Sequence, residues 1–337
     1  MRSAIYGAGS LGTVLGAYLS KAGVQTELVN RNRAQVDALN LRGAHVTGGV
    51  EMTEKVRAVT PEEMRGPYDV IVLMTKQSDN ESIARFLLPL LAEDGVLCTA
   101  QNGLPELKLA GIMGEDRVIG CAVVWGATLT EPGVAKLTSR PDSMSFQIGS
   151  LSGIGKPQLQ KVKTLLEHMC PVVIEENFIG ARFSKLLLNS AFSGLSVILG
   201  MKFGEIVDDR KTRDIAQRII KECIDVAKAS DIRITPVQGK DIAKLMDYRG
   251  PVKKKIANVI IPAAMRGHRD IRSGMLGDIE RGRKAEIDAV NGVICEFGRR
   301  FGQKTPFNDR VIEIVHKIEE KVYAPTTENI RLFDDLI

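Results

Sequence analysis

Lys185, Asn189 and Ser193 interrupt an almost entirely apolar or small run, residues 178–199, at spacings of four. In a helix that spacing puts all three on one face. A lysine inside so apolar a helix is costly unless it is paired or lines a cavity, and burial lowers its pKa, which makes the ammonium a better proton donor near neutral pH. Reduction of a carbonyl by a hydride needs such a donor. The hydride reaches carbon while the developing alkoxide takes up a proton, and an asparagine amide orients the oxygen. The plainer use of the lysine is to snorkel to the exposed edge of its helix. Asp278, Gly282 and Glu286 repeat the four-residue spacing, so a second helical stripe is expected, on which Glu286 balances the charge of Lys185 or accepts from a hydroxyl. The plainer use of Glu286 is an i,i+3 ion pair with Arg283.

A source of hydride stands at the other end of the chain. Gly7-Ala8-Gly9-Ser10-Leu11-Gly12 follows the apolar segment Ala4-Ile5-Tyr6 and opens a helix-like one, Ser10 to Ala22. In a strand–turn–helix unit the first glycine allows a tight turn, the second lets backbone approach a pyrophosphate, and the third lets helix and strand pack closely. The helix N-terminus then aims unpaired N–H groups at the phosphates. A glycine-rich turn without a ligand is the alternative. The next strand, Val24–Val29, ends in Asn30-Arg31-Asn32-Arg33, where an NAD site carries an acid for the ribose hydroxyls. Glu27, the nearby acid, lies too early, inside the strand. Arg31 suits a 2′-phosphate, which a guanidinium binds through two charge-assisted hydrogen bonds, so NADP is the expected cofactor. The alternative is a solvated arginine pair on a loop.

The elements that position these residues alternate between strand and helix over the first half of the chain. Strands are expected at Ala44–Val50, Lys55–Val59, Tyr68–Thr75, Gly95–Thr99 and Arg117–Val124, with a helix at Ser78–Leu91. Gly133–Thr138 and Ser143–Gly149 alternate as a hairpin would, and Pro157–Met169 reads as a helix before the strand Val172–Glu175. Open α/β sheets bind ligands beyond the carboxyl ends of their strands, which singles out Lys76, Asn102-Gly103 and Trp125-Gly126-Ala127. From about Phe178 the strand signals stop. Helices are expected at Phe178–Leu199, Thr212–Ser230, Pro236–Met246, Leu276–Phe301 and Asn308–Val322, then a short tail after Ala324. The fold class is therefore α/β: an N-terminal Rossmann-type parallel sheet domain, 1–176, followed by an all-α C-terminal domain, 177–337.

At 337 residues the chain suits two domains, and 44% hydrophobic with 26% charged residues is ordinary for a globular protein. A net charge of +5, spread out, with 5% aromatics and none interleaved with basic runs, argues against nucleic-acid binding. Lys253-Lys254-Lys255, the densest basic cluster, reads as a solvated helix face. Five scattered cysteines without a CxxC read as small core residues of a reducing compartment. With no apolar run of 18 residues and a strand beginning at once, neither a membrane span nor a signal peptide is expected, and a cytoplasmic protein is.

Taken in order, these motifs resemble the ketopantoate reductase (2-dehydropantoate 2-reductase) family over nearly the whole length. The resemblance rests on Gly7–Gly12, Lys76, Asn102-Gly103, the Lys185-Leu-Leu-Leu-Asn189 helix, Asp278…Gly282-Arg283…Glu286-Ile287-Asp288…Asn291-Gly292, and a late Gln303-Lys304-Thr305-Pro306-Phe307-Asn308 turn. It implies a Rossmann domain joined to a helical one, a homodimer, and reduction of ketopantoate to pantoate with NADPH in coenzyme A biosynthesis. By the same likeness Lys185 is the proton donor and Asn189 a substrate ligand, while Lys76, Asn102, Ala127 and Glu286 line the nicotinamide and ribose end of the cofactor. Three substrate-side positions depart from the family pattern: Ser193 and Phe203 stand where asparagines are usual, and Gly274 where a serine is, with Ser273 adjacent to substitute. A different, more apolar 2-oxo acid is the natural variant of this expectation. A β-hydroxyacid or opine-type dehydrogenase is the nearest rival. A non-catalytic NADP sensor is the rival from another class, and such a module would have lost Lys185 or Glu286.

Overall fold

The computed structural model describes residues 1–337 apart from 154, 156 and 237–240, and only the backbone of residue 264. It divides into two compact units, Met1–Phe178 and Ile179–Ile337.

The strands of the first unit are β1 (Ser3–Tyr6), β2 (Thr26–Val29), β3 (Ala44–Gly48), β4 (Met52–Glu54), β5 (Arg57–Val59), β6 (Tyr68–Leu73), β7 (Leu91–Thr99), β8 (Val118–Val123), β9 (Ala127–Glu131), β10 (Val134–Leu137), β11 (Phe146–Ser150) and β12 (Val172–Ile174). Among the described residues, eight of them form a main sheet in the order β12-β11-β8-β7-β6-β1-β2-β5. Its pairings are parallel except β8 with β11. Its helices are α1 (Ser10–Lys21), α2 (Arg33–Arg42), α3 (Asn80–Leu87), α4 (Glu106–Met113) and α5 (Pro157–Leu166). Val70, Ile71, Val72 and Leu73 are all buried, because a central parallel strand is covered on both faces and so reads as an unbroken apolar run. From β1 the chain runs outward to β2 and β5 on one side, and β6, β7 and β8 follow on the other. The strand order therefore reverses between β1 and β6, where such sheets bind their ligands.

The expected hairpin of Gly133–Thr138 with Ser143–Gly149 does not form. β10 pairs with β9 and β3 in a second sheet, of order β4-β3-β10-β9, whereas β11 joins β8 and β12 in the main one. Alternation marks a strand but does not name its partner. The partner, β9, gives no signal because Thr128 to Glu131 are all exposed and supply no apolar face. Val46, Ala135 and Leu137 of this second sheet share a core with Val14, Leu15 and Ala17 of α1.

The second unit is helical: α6 (Phe178–Leu188, whose first residue closes the first unit), α7 (Gly194–Leu199), α8 (Phe203–Asp208), α9 (Arg210–Ala229), α10 (Ile242–Met246), α11 (Pro251–Ala264), α12 (Gly274–Glu280), α13 (Ile287–Arg300) and α14 (Pro306–Glu319). Two expected helices differ in detail. The run 178–199 is continuous but contains a π-helical turn, Asn189–Ser193, between α6 and α7. The run 276–301 is broken: Gly282 adopts φ +68°, a left-handed conformation that ends a helix, and α13 starts afresh after Glu286. The helix expected at Pro236–Met246 is described as α10 alone, since 237–240 lie outside the described residues. Lys253-Lys254-Lys255 does lie on a helix, α11, but Lys254 pairs with the half-buried Asp214 at 2.6 Å, so the cluster is not simply solvated. The tail is packed rather than loose. Phe333 is fully buried and lies parallel to Phe307, with centroids 6.4 Å apart, and Arg310 holds both oxygens of Asp335. All five cysteines are free and buried. Among the described residues no helix is long and apolar enough to cross a membrane.

Candidate active site

The phosphate loop is shaped by what its glycines exclude. Gly7 has φ +113°, and a Cβ there would stand 2.8 Å from the backbone of Met74 and Thr75. A Cβ on Gly12 would stand 2.5 Å from the Gly7 carbonyl oxygen. Gly9 differs: a Cβ there would meet nothing within 4 Å, so this is the open side of the loop. Helix α1 begins at Ser10 with no side-chain cap and no acid in its first turn, whereas α2 and α9 are capped by Asn32 and Asp209. An uncapped N-terminus behind an open glycine is what an anionic pyrophosphate needs. The residues present therefore fit a dinucleotide.

Two side chains hold the loop that sequence reasoning did not assign to the site. The amides of Asn30 (2.9 Å) and Gln35 (3.0 Å) both donate to the Ala8 carbonyl. Gln35 also donates to Thr13 Oγ1 at 3.1 Å and accepts from the Gly133 N–H at 2.9 Å, which ties the loop to the second sheet. The available signal was a glutamine on the inward face of α2, where it is fully enclosed.

Arg31 projects from the end of β2, largely exposed, with its Nη2 3.3 Å from Asp79 Oδ2. Glu27 is committed elsewhere. Buried in β2, it accepts from Arg2 Nη2 (3.0 Å) and from the Tyr68 hydroxyl, with Arg57 Nε 3.4 Å away. Tyr68 opens β6, so these partners lie toward the edge of the sheet opposite the phosphate loop. The end of β2 therefore carries Arg31 where an NAD site carries an acid.

Lys76 and Asn102 follow the adjacent strands β6 and β7, and one amide network joins their loops. Gln101 Nε2 donates to the carbonyls of Thr75 (2.9 Å) and Lys76 (3.2 Å) and exchanges hydrogen bonds with the buried Asn80. The Gln77 amide donates to the Asn102 carbonyl. Ala127 opens β9, on the second sheet. Thr75 Oγ1 and Trp125 Nε1 are buried without a hydrogen-bond partner among the described residues, so these strand ends still offer polar atoms to a ligand.

In the second unit, Phe183, Leu186 and Leu187 of α6 are fully buried, yet Lys185, Leu188 and Asn189 are only half-buried. Lys185 and Asn189 therefore share the open stripe of this helix. The π turn winds more residues per turn, and Ser193 is buried rather than aligned with them. Phe203 packs its ring on Phe192 (centroids 5.5 Å apart), so the position of a usual asparagine is given to the core. Ser273 is buried and caps α12 by accepting from the Met275 N–H at 3.2 Å, while Gly274 is exposed. The expected stripe of Asp278, Gly282 and Glu286 is not formed. Asp278 lies on α12, 3.6 Å from Arg281, Gly282 lies in the turn, and Glu286 occupies the N-cap position of α13, half-buried.

A parallel sheet with an uncapped glycine loop at its switch point, followed by a helical unit that presents a lysine and an amide on one stripe, defines a nicotinamide-dependent oxidoreductase of two-unit construction. Residues 3–152 match the family model described as Ketopantoate reductase PanE/ApbA, and residues 177–319 match that of its C-terminal part. The chain belongs to the ketopantoate reductase family. A 2-dehydropantoate 2-reductase of Aquifex aeolicus is 27% identical over 319 residues, covering 94% of this chain and 96% of that one. Among solved structures, a D-mandelate dehydrogenase bound to NADH and anilino(oxo)acetate superimposes with TM-score 0.81 at 22% identity, over 96% of this chain and 99% of that one. A PanE/ApbA family ketopantoate reductase from Ralstonia eutropha does so with TM-score 0.80 at 24% identity, over 95% and 99%. At these identities the structural likeness speaks for the fold alone.

Proposed function

We propose that the chain reduces a 2-oxo acid with NADPH, with 2-dehydropantoate (ketopantoate), converted to pantoate on the way to pantothenate and coenzyme A, as the first substrate to test. The observation that carries this is the open stripe of α6, where Lys185 and Asn189 stand half-buried beside fully buried neighbours. When bound, NADPH supplies the hydride. Gly7, Ala8, Gly9, Ser10, Leu11 and Gly12 receive its pyrophosphate, Arg31 its 2′-phosphate, and Lys76, Asn102, Ala127 and Glu286 its nicotinamide and ribose end. Lys185 Nζ gives a proton to the substrate oxygen as negative charge develops there, and Asn189 orients that oxygen. Ser193 and Ser273 are the further substrate-side candidates, both of them buried, with the Ser273 hydroxyl capping α12.

A more apolar 2-oxo acid is the second reading, favoured by Phe203 on Phe192 and by the short, buried Ser193. A site without partners for a substrate's polar groups leaves them unpaired at roughly 1–3 kcal/mol each. The protein is read as a cytoplasmic homodimer. Val252, Ile256 and Val259 form an exposed apolar stripe on α11 that a second copy would cover, and a monomeric mass in solution would overturn that. The reaction itself is tested by following NADPH oxidation over a panel of 2-oxo acids that includes ketopantoate and aryl-substituted members. Turnover with at least one is expected, and none with any would refute the proposal.

A further inference from the structure

The π turn that begins at Asn189 is buttressed from behind by a buried polar chain that crosses three helices. The Ser190 carbonyl accepts from Asn291 Nδ2 of α13 at 3.0 Å. The same Nδ2 donates to Asn308 Oδ1 of α14, also at 3.0 Å. Asn308 Nδ2 in turn donates to Glu222 Oε2 of α9 at 2.7 Å. Glu222 further accepts the first-turn N–H groups of α14, from Phe307 at 2.8 Å and Asn308 at 2.9 Å. Packing around the turn leaves little slack, for a Cβ on Gly194, directly after it, would stand 2.5 Å from Val311 of α14.

The direction of this chain is set at its far end. An ionised carboxylate only accepts, so Asn308 must turn its Nδ2 toward Glu222 and its Oδ1 toward Asn291. Asn291 must then present its own Nδ2, and that donor is what the Ser190 carbonyl receives. Asn291 and Asn308 are fully buried, and Asn291 Oδ1 finds no partner among the described residues. A buried amide with one side unpaired is costly, so it is the donor side of Asn291 that the structure uses. We propose that Glu222 is a positioning residue: through Asn308 and Asn291 its carboxylate holds the π turn, and so sets Asn189 on the helix that carries Lys185. This rests on the assignment of Lys185 and Asn189 to the reaction.

The test uses the full chain and two variants. Glu222→Gln keeps the shape but adds a donor, which opposes the Asn308 amide and reverses the chain. Asn291→Leu removes the donor to Ser190 and leaves the bonds of Glu222 to α14 in place. Both should lower kcat/KM for the 2-oxo acid roughly tenfold or more, with the Kd for NADPH unchanged, because neither residue is among those placed on the cofactor. The double variant should be no worse than the poorer single one, since both break the same chain. Wild-type kcat/KM in either variant, or additive losses in the double, would overturn the proposal. If Glu222→Gln does not fold, Asn291→Leu decides alone. A wild-type protein that turns over no 2-oxo acid, or a Lys185→Ala variant that keeps its turnover, would instead bring down the assignment beneath the proposal.

Discussion

The Gly7–Gly12 loop offers a ligand backbone, whereas the α6 stripe offers it side chains. The loop needs glycine at Gly7 and Gly12 because main chain comes too close for a Cβ, Gly9 leaves its outer side open, and its helix is left uncapped so that N–H groups remain for an anion. The stripe needs a lysine and an amide at a set spacing, on a helix whose continuation widens into a π turn and is held by residues far away in the chain. Backbone sites are written locally in the sequence, whereas a site made of side chains depends on distant residues for its orientation.

Gly9→Val places a branched side chain on the open side of the loop, where its Cβ meets no protein atom within 4 Å. It should leave the melting temperature near wild type and weaken NADPH binding roughly 100-fold, the worth of about two hydrogen bonds to a charged group. Calorimetric titration with NADPH checks this, and unchanged affinity would remove the pyrophosphate from the loop.

Burial is the main reason that the Glu222 carboxyl is pushed up from 4.5 to about 7, with Asp309 adding repulsion and the N–H groups of Phe307 and Asn308 opposing the rise. Between about pH 4.5 and 7 the folded chain keeps a proton that the unfolded chain has released, so this group's contribution is fully present below 4.5 and is lost as pH rises through 7. The loss amounts to about 3 kcal/mol. Denaturant titrations of wild type and Glu222→Gln across this window should show a falling component in the wild type alone. Parallel curves would remove the titration from Glu222.

Arg31→Asp should narrow or reverse the preference for NADPH over NADH, by roughly 10–100-fold in the ratio of kcat/KM values, because a carboxylate repels the 2′-phosphate and accepts from ribose hydroxyls. Equal use of both cofactors by the wild type would sink this. The smallest effect is expected from Ser193→Asn, which should lower the KM for ketopantoate by about 1 kcal/mol of recovered hydrogen bonding. A raised KM would show that the buried Ser193 does not face the substrate.

The same division explains what could be read from the chain beforehand. The main sheet, the Gly7–Gly12 loop and Arg31 were legible because their signals lie within a few residues of each other. The second sheet was not, since exposed β9 carries no apolar face and β10 alternates equally well with a false partner, β11. The stripe of Asp278, Gly282 and Glu286 failed for a local reason: spacing by four assumes a helix, and Gly282 at φ +68° ends it. Lys185 and Asn189 were legible as a pair, but the π turn after them was not, because its support comes from Asn291, Asn308 and Glu222. Gln35 and Gln101 were hidden for the same reason, being buried amides whose partners lie on other elements.

Lys185 is proposed to supply the proton without being needed to hold the cofactor. Lys185→Ala tests it in a single preparation, by NADPH titration and by turnover of the best 2-oxo acid. The variant should bind NADPH with a Kd close to wild type and turn over slower by roughly 100-fold or more, as for other positioned general acids. A variant that retains most of its turnover, or that loses NADPH binding in proportion, would contradict it.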